Sequence, residues 1–204
     1  MTTALIEAPA IAKKTGPRSV SSRPKPDVTP EKLLKMPDGD IYELIDGKLV
    51  EKPMGAESSK IGVAQNSLIR SHVHSQRQGS VYGPDCQYQA FPEKPTQVRK
   101  PDGSFIVKGR RPEEKSPKGY MTIAPDWAGE VVSPKDRAEE IEARRVDFMK
   151  AGTRLFWIIY PEHRTVHVFR KDGSHSVLTE GDNLSGEDVI PGFTCKVAEL
   201  FEDL

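Results

Sequence analysis

Apolar positions recur along this chain with two different periods. Over residues 58–75 they fall at Ile61, Ala64, Leu68, Ile69 and Val73, the stripe of an amphipathic helix that Gln78-Gly79 closes. Over 41–45 and 48–52 two short runs flank Asp46-Gly47, which predicts a β-hairpin with a tight turn. Ahead of the hairpin, Thr29-Pro30-Glu31 predicts a short helix with Thr29 as its cap and proline in its first turn, stopping near Met36-Pro37-Asp38-Gly39. Residues 81–91 and 98–107 read as strand regions, and 108–119 as a polar loop.

The second half carries the clearest pattern. Residues 127–133 form a strand, and Ser133-Pro134-Lys135-Asp136 leads into a helix that Asp136 caps, with Glu139 three residues on. That helix runs to about Ala151, with Gly152 just past its end. Residues 154–160 are nearly all apolar, as in a central strand covered on both faces. Strand, helix, strand is a βαβ unit, with parallel strands and a right-handed crossover. Residues 165–170 alternate as a half-buried strand, Asp172-Gly173 turns the chain into 175–178, and a loop precedes a short helix at 197–201. The expected fold is α/β: a mixed sheet with a central βαβ unit, antiparallel at its edges, packed with helices.

Length and composition add boundaries. The 204 residues suit one domain over 29–204 after a disordered tail at 1–28 rich in Ala, Lys, Ser and Pro. Of all residues 36% are hydrophobic and 29% charged, and no apolar run reaches the roughly 18 residues of a membrane span. The N-terminus lacks the pattern of a signal peptide. Cys86 and Cys195 lie far apart and read as reduced thiols, so a cytoplasmic location is expected. Basic and acidic residues balance at 30 each, yet 93–118 holds eight basic against four acidic, and 180–204 holds seven acidic against one lysine. Such a split either steers a polyanion to the basic side or marks ordinary solvated loops.

The sequence has no glycine loop for a dinucleotide or P-loop phosphate and no GxSxG elbow. Its five histidines lack zinc spacing. What remains is acids in costly places. Glu130 sits between small and apolar residues in a strand, where an unpaired carboxylate is expensive. Asp102 lies in Pro-Asp-Gly ahead of a strand, a sequence that also suits a plain turn, and Asp126 reads as a turn or strand-start acid. Glu43 shares a strand face with Ile41 and Ile45, which fits either a rim position or a charged cleft. Acids brought together from separate strands repel, and a hard divalent cation removes the repulsion.

Four segments in order carry a resemblance: Tyr42-Glu43-Leu44-Ile45-Asp46-Gly47-Lys48-Leu49-Val50-Glu51, Arg99-Lys100-Pro101-Asp102, Ala124-Pro125-Asp126 through Glu130-Val131 to Ser133-Pro134, and Leu155-Phe156-Trp157-Ile158-Ile159-Tyr160-Pro161-Glu162. From about Pro30 to Leu204 the chain resembles a bacterial restriction-endonuclease family of the PD-(D/E)xK nuclease superfamily. The resemblance implies a restriction-endonuclease-like core that hydrolyses DNA phosphodiesters with Mg²⁺ or Mn²⁺, held by Asp102 and Glu130, with Glu43 as a further acid. The superfamily lysine slot, two residues after Glu130, holds Val132. In the resembled family the lysine comes instead from the following helix, four residues before an aromatic, and that count lands on Arg144. Arginine neutralises phosphate or pairs with an acid but is no base. Gly103 stands where the family has an apolar residue, and Gly129 loosens the strand or marks a bulge. Arg99, Lys100, Lys108, Arg110 and Arg111 are the expected DNA contacts, and a homodimer would suit cutting both strands. The competing expectation is a degenerate nuclease fold that binds nucleic acid or a protein without cleavage.

Overall fold

A computed structural model describes residues 28–52 and 55–202. The expected tail therefore lies outside the described residues, apart from Val28. In chain order the elements are α1 (Pro30–Lys35), β1 (Tyr42–Ile45), β2 (Lys48–Glu51), α2 (Ala56–Gln76), β3 (Gly79–Tyr82), β4 (Gly103–Val107), β5 (Trp127–Val131), α3 (Ala138–Ala151), β6 (Leu155–Tyr160), β7 (Thr165–Arg170), β8 (His175–Leu178), β9 (Asn183–Ser185) and β10 (Thr194–Lys196), then a 3-10 turn at Val197–Leu200.

The central sheet has six strands in the order β3-β4-β5-β6-β7-β8. Only β5 and β6 are parallel, joined by α3 as the βαβ pattern requires, and the other neighbours are antiparallel. Alternation along β5 and β6 sorts their side chains to two faces. Trp127, Val131, Leu155, Trp157 and Ile159 join Ile61, Ile69 and Val73 of α2 in one cluster. Ala128, Phe156 and Ile158 join Ile141 and Phe148 of α3 in another. The C-terminal segment completes the α2 side with Leu184, Val189, Ile190, Phe193, Val197 and Leu200.

The hairpin β1–β2 forms a separate two-stranded sheet. Its turn residues Asp46 and Gly47 both have positive φ, 49° and 74°, as a two-residue hairpin turn demands. It docks through a bridge between Leu44 and Val98, and Leu44 is buried with Leu33, Val98 and Tyr120.

Several local expectations are corrected. The strand regions at 81–91 and 98–107 shrink to β3 and β4, and the stretch between them is irregular, pinned by bridges from Tyr88 to Arg99 and to Met121. The cap of α3 is Arg137, while Asp136 Oδ2 accepts the Ser133 N–H at 2.7 Å and closes the preceding loop. The short helix at 197–201 is a 3-10 turn. Gly129 marks no bulge, for the ladder runs through it, pairing it with Gly103 on one side and Trp157 on the other. The two glycines answer a close approach by α2 instead. A Cβ at Gly129 would lie 2.6 Å from Gln65 Oε1, and one at Gly103 would lie 2.2 Å from Asn66 Oδ1.

Candidate active site

Register brings the two main acids together. β4 pairs Gly103 with Gly129 and Ser104 with Ala128, so one step further Asp102 faces Glu130 from the neighbouring strand. Both acids continue the α3-facing rows, Asp102 that of Ser104 and Ile106, Glu130 that of Ala128. Two carboxylates directly opposite on one face destabilise a sheet unless a cation lies between them.

That cation is Lys52, which the sequence reasoning missed. Its ammonium donates to Asp102 Oδ1 at 2.7 Å, to Glu130 Oε2 at 2.9 Å and to the Lys100 carbonyl at 3.0 Å. All three ammonium protons thus have an acceptor. A signal for it existed. Counting outward from the two-residue turn pairs Glu43 with Val50, and Lys52, two residues on, shares that face.

Arg144 reaches the cluster from α3, on the stripe Ile141, Arg144 and Phe148 that faces the sheet. Its Nε and Nη2 donate to Glu43 at 3.1 and 3.0 Å, and its Nη1 to Glu130 Oε2 at 3.3 Å. Glu43 is fully buried and also receives Arg99 Nη1 at 3.0 Å and the Lys100 N–H at 2.9 Å. Arg99 continues the chain to Asp147, which Gln97 and Lys94 also bind. Asp147, three residues past Arg144 on α3, is another site neighbour missed in the sequence. A buried network therefore runs Asp147–Arg99–Glu43–Arg144–Glu130–Lys52–Asp102.

The electrostatics follow the partners. Burial would raise the Glu43 carboxyl, but the Arg144 and Arg99 guanidiniums hold it down at about 2. Burial wins at Glu130, lifting it to about 7 against the pull of Arg144 and Lys52. Its Oε1 is buried without a hydrogen-bond partner. Burial opposes the charge on Lys52, yet Asp102 and Glu130 raise its pKa.

Asp102, Lys52 and Lys100 open onto a cleft of about 450 Å³ that is also lined by Glu51, Asp85 and Lys135. Of the expected DNA contacts, Lys108 and Arg110 are exposed, and Arg110 pairs with Asp126 at 2.9 Å. Arg99 is corrected: it is 2% exposed and spent on Glu43 and Asp147, so it offers nothing to a polyanion. Arg111 is likewise tied to Ser80, Tyr82 and Glu114 beneath the surface. Lys100 points its ammonium at the Asp40 carbonyl, at the cleft wall. Asp126 receives the Val107 N–H and holds the β4–β5 junction, away from the acid cluster. No helix among the described residues is long and apolar enough to cross a membrane.

A sheet with a parallel central pair, and acids meeting at the edge of β4 and β5 beneath α3, define a restriction-endonuclease-like protein. The model of the Uma2 family, described as "putative restriction endonuclease", matches residues 30–198, and the chain belongs to that family. A crystal structure described as a putative nuclease belonging to DUF820, from Anabaena variabilis ATCC 29413, is similar over 85% of this chain and 97% of its own, with a TM-score of 0.72 and 26% identity. No curated protein matches.

The superfamily's divalent cation can be tested against these residues. Among the described residues no three His, Cys, Asp or Glu side chains group as a metal site. Two carboxylate oxygens and the Lys100 carbonyl nevertheless converge on one cationic centre, the Lys52 ammonium. Oxygen donors of that kind suit Mg²⁺ or Mn²⁺, and the unpaired Glu130 Oε1 adds a further donor. The donor set fits.

Proposed function

We propose that this protein is a Mg²⁺- or Mn²⁺-dependent endonuclease that hydrolyses DNA phosphodiester bonds in the cytoplasm, acting as a homodimer where both strands are cut. The convergence of Asp102, Glu130 and the Lys100 carbonyl on one cationic centre at the wall of a cleft carries this reading. Asp102 and Glu130 would hold the ion, which supplies a Lewis acid for the phosphate and a water of lowered pKa. Asp102 is fixed for that task, because its second oxygen accepts the Val131 N–H at 2.8 Å. Glu43 is locked by two arginines and acts by positioning: it holds Arg144 with its Nη1 toward Glu130. Arg144 balances charge near the phosphate and takes no proton. Lys108, Lys100 and Lys135 are the candidates to touch the DNA backbone, without reading its sequence.

One observation favours the second reading, a nuclease fold that binds without cutting. Each acid of the cluster already has a basic partner, so the charges are balanced by the protein alone. Incubation of supercoiled plasmid and single-stranded DNA with Mg²⁺ or Mn²⁺ decides between them. Nicking by the wild type that is lost in Asp102→Ala and Glu130→Ala supports the enzyme. DNA retained in a binding assay but left intact under every metal condition supports the binding protein.

A further inference from the structure

The Lys52 side chain is 7% exposed, and its ammonium is committed to three oxygens, two of carboxylates and one of a backbone carbonyl. Two charges cannot share that point. The lysine also arrives from an unusual direction: it follows the last residue of β2, outside the six-stranded sheet that carries both acids. Its backbone is tied only lightly, by an N–H to the Ile41 carbonyl at 3.4 Å, and its side chain borders the open cleft. A long, flexible ammonium at a cleft wall can leave its acceptors without the sheet moving.

We infer that Lys52 is a built-in occupant of the cation site: a divalent ion enters only by displacing its ammonium, which then swings into the cleft where the phosphate would lie. This rests on the reading of Asp102 and Glu130 as cation ligands. It extends that reading by assigning the lysine of the site to the hairpin, in place of the uncharged Val132 and the α3 arginine Arg144. The same residue would thus block the empty site and present a positive charge in the filled one.

Mn²⁺ binding is measured by calorimetry on the wild type, Lys52→Met and Lys52→Gln. Removing the competing ammonium should tighten Mn²⁺ binding by about tenfold or more in both variants. Binding that is unchanged or weaker in the folded variants overturns the inference. Because unpaired acids can unfold a variant, a second measurement uses the wild type alone. Amine acylation of Lys52, read by peptide mass spectrometry, should be slow without divalent ion and rise several-fold as Mg²⁺ or Mn²⁺ is added. Acylation of Lys52 that does not change across the titration also overturns it. Protein that binds Mn²⁺ and exposes Lys52 but leaves all DNA intact supports the displacement and sinks the nuclease reading, so the two failures are distinct.

Discussion

Glu43 is tightly held, with two guanidiniums and a backbone N–H on its two oxygens. Its pKa is depressed, from 4.5 to about 2, so it adds stability above pH 4.5, and that stability is lost as pH falls from 4.5 toward about 2. Glu43→Gln should therefore lower thermal stability at pH 7 by about 3 kcal/mol, with the gap to wild type closing at acid pH, as followed by melting curves from pH 7 to 3. A gap that stays constant with pH would show that the charge on Glu43 is not what matters. Arg144→Ala strips a partner from Glu43 and Glu130 together and should cost about 3–5 kcal/mol in chemical denaturation. The five basic residues picked for DNA contact separate in the same way. Arg99→Ala should destabilise the fold, whereas Lys108→Ala should leave stability within about 0.5 kcal/mol. If DNA binds through Lys108, its loss should lower the slope of log affinity against log salt by about one. Sequence could not divide these residues, because arginine and lysine look alike in a basic run whether they point to solvent or to a buried acid.

At the scale of elements, the βαβ unit was legible because its signals agree: a small-apolar strand, a helix closed by Gly152 and the apolar run of β6. The hairpin was legible from Asp46-Gly47. The acids Asp102, Glu130 and Glu43 could be singled out by their apolar or turn surroundings, and Arg144 by the family resemblance, whose helix lysine falls at that position. Lys52 was not, since a lysine at a strand end looks like ordinary surface. Only the docking of the hairpin against the segment at Val98, ahead of β4 and distant in sequence, turns it inward. Of the two expectations for Gly129, a loosened strand or a bulge, the bulge failed for a related reason: the glycine makes room for a helix that is remote along the chain. Gly129→Ala should push the new methyl against Gln65 and the Trp127 ring, at 2.6 and 2.8 Å. The expected cost is about 1–3 kcal/mol, with a thermal midpoint lowered by several degrees. An unchanged midpoint would mean that α2 has slack at this point.

For the molecule as a whole, the site is divided between two bodies of structure. The six-stranded sheet with α2 and α3 holds Asp102, Glu130 and Arg144, and the small hairpin holds Glu43 and Lys52. The sheet core rests on buried aromatics such as Trp127, Trp157 and Phe156, while the hairpin rests on Leu44 and a bridge to Val98. Amide exchange should therefore be faster in β1 and β2 than in β5 and β6. Equal protection would mean that the hairpin opens only with the whole. The division has a consequence for a growing chain. The hairpin is synthesised before its partners: Val98 and Tyr120, on which Leu44 packs, and Arg99 and Arg144, which hold Glu43, all leave the ribosome later. A nascent or half-folded copy consequently carries scattered acids and no assembled centre, so whatever chemistry the cleft performs is withheld until folding is complete.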